Sequence, residues 1–60
     1  MQFEVTVEDS LGKESFHNVE AANIAQARFI ARNLHIREMN YTMQKLPAEI
    51  WTIIGNTTNE

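Results

Sequence analysis

Asn23-Ile24-Ala25-Gln26-Ala27-Arg28-Phe29-Ile30-Ala31-Arg32-Asn33-Leu34-His35-Ile36 is the stretch that decides the architecture of this 60-residue chain. Asn23 is a favoured N-cap residue, and Gln26 three positions later completes a capping-box pattern, so a helix is expected to begin there. Asn18 is the competing cap and would start the helix earlier, but Val19 and Ala21 fit better as the end of a strand. Alanine and arginine sustain the helix, whose end is expected near His35 or Ile36.

At about 100° per residue the apolar positions of this segment fall into two stripes. Ile24, Ala27, Ile30, Ala31 and Leu34 form a broad one, expected to lie on a sheet against Phe3, Val5, Val7, Val19 and either Trp51 or Ile53. Ala25, Phe29 and Ile36 form the second, on the opposite side. Arg28, Arg32 and His35 separate the stripes along one flank; Gln26 and Asn33 separate them along the other. A helix on a small sheet needs one apolar stripe. The second is either covered by residues 37–48 or meets another molecule. Alanines let two helix backbones come close and Phe29 supplies an anchor. An interface on Ala25, Phe29 and Ile36 is therefore expected, serving a homodimer or a larger protein partner.

Outward from the helix, the preceding segment alternates. Phe3, Val5 and Val7 face one way, and Gln2, Glu4, Thr6 and Glu8 the other, which is a half-buried strand. Asp9-Ser10-Leu11-Gly12-Lys13 supplies turn residues for a hairpin. The returning strand is expected over residues 14–21, with Val19 and Ala21 on one face. Phe16 falls on the other, either at a bulge or covering the back of the sheet. Beyond the helix, Met39, Tyr41 and Met43 alternate with polar residues and suggest a strand over 39–44, broken by Pro47. The alternative extends the helix toward Met39 and leaves residues 40–48 as loop. Ile50-Trp51-Thr52-Ile53-Ile54 is rich in strand formers and stops at Gly55. The expectation is one α+β domain over residues 1–55, an antiparallel sheet of three or four strands with one helix across one face (ββαβ or ββαββ), and a flexible polar tail over 56–60.

The composition, 43% hydrophobic and 22% charged, is that of a globular chain. A chain of this length buries only about 60% of its unfolded surface, so its core is marginal. Small domains compensate with disulfides, a metal or a second subunit. With no cysteine and two histidines, neither a disulfide nor an ordinary structural zinc site is available, which favours self-association. Net charge is −3, so no overall field draws the chain to phosphate backbones or anionic membranes. No run approaches the ~20 apolar residues of a membrane span and no export signal is visible, so a cytoplasmic location is expected. Asn40-Tyr41-Thr42 and Asn56-Thr57-Thr58 match a glycosylation acceptor pattern but are read as chance matches without such a signal.

Catalysis is not expected. Ser10 and Ser15 lack nucleophile-elbow glycines, and His17 and His35 lie on different elements. Gly12 and Gly55 are too few for a phosphate loop, and one helix on three strands hardly encloses a substrate pocket. His17 is expected to face solvent or to pack beside the helix. His35 is expected in the last helical turn, where a cation complements the helix dipole. No catalytic residue, metal site or cofactor is assigned. The remaining class is a small non-enzymatic regulator or inhibitor that binds another protein and self-associates. Short acidic chains of this kind are common among bacteriophage and mobile-element proteins acting on host machinery. The alternative is a nucleic-acid-binding regulator, with Arg28, Arg32 and His35 on phosphates and Tyr41 and Trp51 stacking bases. An accessory subunit of a larger assembly is a third.

Overall fold

Alternation in the first nine residues produces the central strand of the molecule. In the computed structural model, which describes residues 1–58, the order is β1 (Gln2–Asp9), β2 (Glu14–Glu20), α1 (Ile24–Glu38), a 3₁₀ turn (Met43–Lys45) and β3 (Ile50–Thr58). The three strands form one open antiparallel sheet in the order β2-β1-β3. One face carries α1, and the fold is α+β. β1 and β2 are joined by a tight turn in which Gly12 takes φ +82°, a left-handed conformation that favours glycine. The Gly12 amide donates to the Asp9 carbonyl and the Asp9 amide to the Lys13 carbonyl, both at 3.0 Å.

The helix begins where its cap residues place it. The Asn23 side chain accepts from the Gln26 amide at 2.8 Å, and Gln26 Oε1 accepts from the Ala22 amide at 2.6 Å. Two otherwise orphaned backbone donors are thereby satisfied. The helix continues to Glu38, about a turn beyond the expected end. Residues 39–44 are not a strand. Met39 is the C-cap and Asn40 adopts φ 60°. The Asn40 amide donates to the Arg37 carbonyl and the Tyr41 amide to the Ile36 carbonyl. These are the paired bonds of a Schellman motif, so the alternation of Met39, Tyr41 and Met43 reflects a helix stop followed by a 3₁₀ turn. The order is ββαβ. β3 extends to Thr58, into the segment read as tail; residues 59 and 60 lie outside the described residues.

Phe3, Val5, Val7, Val19, Ala21, Ala27 and Ala31 form the core, with Ile30, Leu34 and Ile50 packed against it. Ala27 and Ala31 are fully buried; their small side chains let the helix lie close to the sheet. Ile24, at the first position of the helix, is 52% exposed and does not join the sheet-facing stripe. The expectation that Trp51 or Ile53 enters the core also fails, because of register. Asp9 opposes Ile50 and Val7 opposes Thr52, whereas Glu8 opposes Trp51 and Thr6 opposes Ile53. Directly opposed residues share a face. Ile50 therefore follows Asp9 and Val7 toward the helix, and Trp51 and Ile53 follow Glu8 and Thr6 to the open side.

Candidate functional site

The fold holds a buried polar chain at one end of the helix–sheet interface and, among the described residues, leaves two apolar surfaces exposed.

The polar chain is centred on Asp9, 1% exposed at the end of β1. Its Oδ1 accepts from the Leu11 and Lys13 amides at 2.9 and 3.1 Å, closing the hairpin turn. Its Oδ2 lies 2.7 Å from His35 Nε2 and 2.7 Å from the Tyr41 hydroxyl. Beyond the imidazole, His35 Nδ1 is 2.6 Å from Ser15 Oγ, which is 2.8 Å from His17 Nε2. His17 Nε2 is in turn 3.6 Å from Glu38 Oε2. Burial alone would raise the Asp9 pKa, but hydrogen bonds from Tyr41, His35 and the Lys13 and Leu11 amides outweigh it and hold the carboxyl down to about 2. The same contact, with burial and the carboxylate charge, pushes the Tyr41 phenol up to about 12.

Proton counting orders the chain. Ionised Asp9 only accepts, so His35 Nε2 carries a hydrogen. Ser15 has one proton for two imidazole nitrogens. It can donate to at most one of them, so at least one of the two ring nitrogens carries a hydrogen and donates to the Ser15 oxygen. Among the described residues no buried side-chain polar atom lacks a partner. The network satisfies itself while joining hairpin, helix end and the Tyr41 segment.

His35 is the main correction to the sequence reading. It is fully buried and does not stand on the basic flank with Arg28 and Arg32, so the three-residue phosphate ridge is not formed. Ala27, Ala31 and His35 recur every four positions, and the line of closest approach to the sheet runs through them. That spacing was the available signal for His35; for Asp9 it was an aspartate opening a turn. His17 packs beside the helix end, its side chain 10% exposed. Tyr41 is not on a strand, and its hydroxyl is committed to Asp9.

Asp9, His35 and Ser15 line up in the order of a nucleophile relay, but the serine has little room to act. Ser15 is 2% exposed, with its oxygen held between two rings. Two shallow depressions, one along Glu4, Thr6, Phe16 and Asn18 and one along Met1, Phe3, Ile24 and Ala25, include neither Ser15 nor His35. Among the described residues no three His, Cys, Asp or Glu side chains are grouped to hold a metal ion, and no helix is long and apolar enough to cross a membrane.

The outer surfaces are of a different kind. On the helix, Phe29 is 65% exposed, Ala25 is exposed, and Ile36 is half-buried. Residues 37–48 do not cover Phe29. On the open sheet face, Phe16 (71%), Ile53 (55%) and Trp51 (47%) are exposed. Phe16, Thr6 and Ile53 form one row across the strands, and Glu14, Glu8 and Trp51 the next. Sequence reasoning left Phe16 either at a bulge or on the back face and missed this patch, because Ile-Trp-Thr-Ile-Ile is apolar in either register.

No protein-family model, curated protein or solved structure matches the chain.

Proposed function

We propose that this chain is a small non-enzymatic binding protein that self-associates and acts by contact with another protein. The observation that carries the reading is Phe29, a large aromatic held outward on a well-capped helix and 65% exposed among the described residues. A phenylalanine flanked by an alanine one turn earlier is the kind of anchor that protein interfaces concentrate their energy on. The uncovered aromatic side chains on the sheet support the same class of function. The enclosure of Ser15 supports the non-enzymatic half.

Nucleic acid is the less supported partner. Arg28 and Arg32 remain exposed, but the aromatic sheet face is lined by Glu4, Glu8 and Glu14, which oppose a phosphate backbone.

Phe29→Glu tests the reading. The side chain is largely solvent-exposed, so the variant should keep the wild-type far-ultraviolet circular dichroism. Sedimentation should show concentration-dependent mass growth for the wild type and a monomer for the variant. A wild type that stays monomeric, together with unchanged binding of every captured protein by the variant, refutes the proposal.

A further inference from the structure

We propose that copies of this chain associate head to tail, the outward face of α1 in one copy (Arg28, Phe29, Arg32) seating on the open sheet face of the next (Glu8, Glu14, Phe16, Trp51, Ile53). The inference rests on the self-association reading and specifies its geometry.

The charges of the molecule are sorted onto opposite sides. None of the five Lys and Arg residues lies on a strand; three of them, Arg28, Arg32 and Arg37, are on α1. Between Ile24 and Arg37 the helix has no carboxylate. The open sheet face carries Glu4, Glu8, Glu14 and Glu20, the last paired with the Met1 ammonium, and among the described residues no Lys or Arg. Among the described residues the acid–base contacts are the Met1–Glu20 ion pair and the His17–Glu38 and His35–Asp9 contacts, which are ionic only with the imidazole protonated. None involves Arg28, Arg32, Glu4, Glu8 or Glu14, so these charges remain for an outside partner.

The sheet adds a second observation. Glu8 and Glu14 are directly opposed across β1 and β2, and like charges in that position disfavour strand pairing. Folding gains nothing from this arrangement, whereas a guanidinium laid over it relieves the repulsion. Trp51, beside Glu8 on the other strand, offers an aromatic face to the same cation.

Symmetry selects the pairing. Two sheet faces related by a twofold axis bring carboxylates onto carboxylates, and two helix faces bring Arg28 and Arg32 onto their own copies. Helix on sheet sets opposite charges together and apolar groups together, with Phe29 against Phe16, Trp51 and Ile53. It also supplies the layer that a sheet covered on one side lacks. A contact between two different patches does not close after two subunits; it continues into a ring or an open chain.

Phe29→Glu disables the helix face and Phe16→Lys the sheet face; both positions are exposed, and circular dichroism checks each fold. Each variant alone is expected to be monomeric by sedimentation. Mixed in equal amounts they should form a complex of two chains that grows no further, since one brings an intact sheet face and the other an intact helix face. Raising salt from about 0.05 to about 0.5 M should weaken that complex several-fold. Should Phe16→Lys lose its fold, Trp51→Lys replaces it. Assembly by the sheet variant alone would show a helix–helix contact, leaving self-association intact and overturning this geometry. Assembly by the helix variant alone, or no complex in the mixture, overturns it equally. A wild type that never associates removes both readings.

Discussion

Asp9 and His35 are 26 positions apart in sequence, and the carboxylate Oδ2 of one lies 2.7 Å from the ring Nε2 of the other, both fully out of solvent. The pair locks the β1–β2 turn to the last turns of α1. Asp9 also receives two turn amides and the Tyr41 hydroxyl, so one carboxylate is shared by three segments of chain. Removing it leaves the buried His35 ring and three part-buried donors, the Leu11 and Lys13 amides and the Tyr41 hydroxyl, unmatched at once, which costs more than a single lost hydrogen bond. Asp9→Ala is expected to destabilise the fold by about 3–5 kcal/mol, a large share of the stability of a domain this small. Urea denaturation checks this: the midpoint should collapse toward zero, whereas a shift of under about 1 kcal/mol would place the pair with ordinary surface contacts.

Acid stability should carry the signature of the same carboxyl. Asp9 takes its proton near 3.8 when unfolded and near 2 when folded. The folded value is the lower one, so the stabilisation is complete above about pH 4 and is lost as pH falls through about 2. Over that window the unfolded chain binds the proton first. Wild-type stability should decline steeply there, and Asp9→Asn should flatten the decline while starting from a lower plateau. Equal slopes in both proteins would assign the acid limb to other carboxylates.

Tyr41 is the chain's single tyrosine, which makes its ionisation directly visible by ultraviolet absorbance. Its phenol is pushed up to about 12 by the hydrogen bond to Asp9, by burial and by the carboxylate charge. The folded value exceeds the ordinary one of 10.0, so the linked stability is present below that pH and disappears as pH rises through about 12. In Asp9→Asn, kept folded at low temperature, the absorbance transition should move down toward 10. A transition already near 10 in the wild type would mean that the Tyr41–Asp9 bond does not persist in solution.

The helix stop gives a prediction from backbone conformation alone. Asn40 holds φ 60°, where a β-carbon is costly and asparagine is tolerated better than most residues. Asn40→Ala should cost about 1 kcal/mol, whereas Asn40→Gly should be neutral or stabilising. Thermal melts of the two variants separate them by sign. Equal losses would show that the side chain, not the left-handed backbone, matters at this position.

What was legible in the sequence was local. Asn23 and Gln26 mark the helix start within four residues, and Asp9 to Lys13 mark the hairpin, because caps and turns are satisfied by near neighbours. The sheet-facing stripe was legible in its alanines and missed in His35. A polar side chain at the border of an apolar stripe reads as flank unless its partner is known, and that partner lies on another element. Asn40 carried a helix-stop signal that the alternation of Met39, Tyr41 and Met43 obscured. The open-face patch depended on the register of β3 against β1. Consecutive apolar residues leave that register undetermined, and only the pairing of Thr6 with Ile53 resolves which of them face out.

Glu14 offers the sharpest separation of stability from association. It opposes Glu8 directly across β1 and β2, and cross-strand pairs of this kind are worth about 0.2–1 kcal/mol in either direction. Glu14→Lys replaces a repulsive pair with an attractive one, so the isolated fold should gain up to about 1 kcal/mol. The same change puts a cation where the proposed head-to-tail contact brings Arg28 and Arg32, so self-association should weaken. A variant that melts higher yet assembles less well is the expected result, read by thermal denaturation at low concentration and by sedimentation at high concentration. If stability rises and assembly is untouched, the acidic face is not the docking surface. If stability falls, the Glu8–Glu14 opposition is relieved by solvent and carries no cost to be removed.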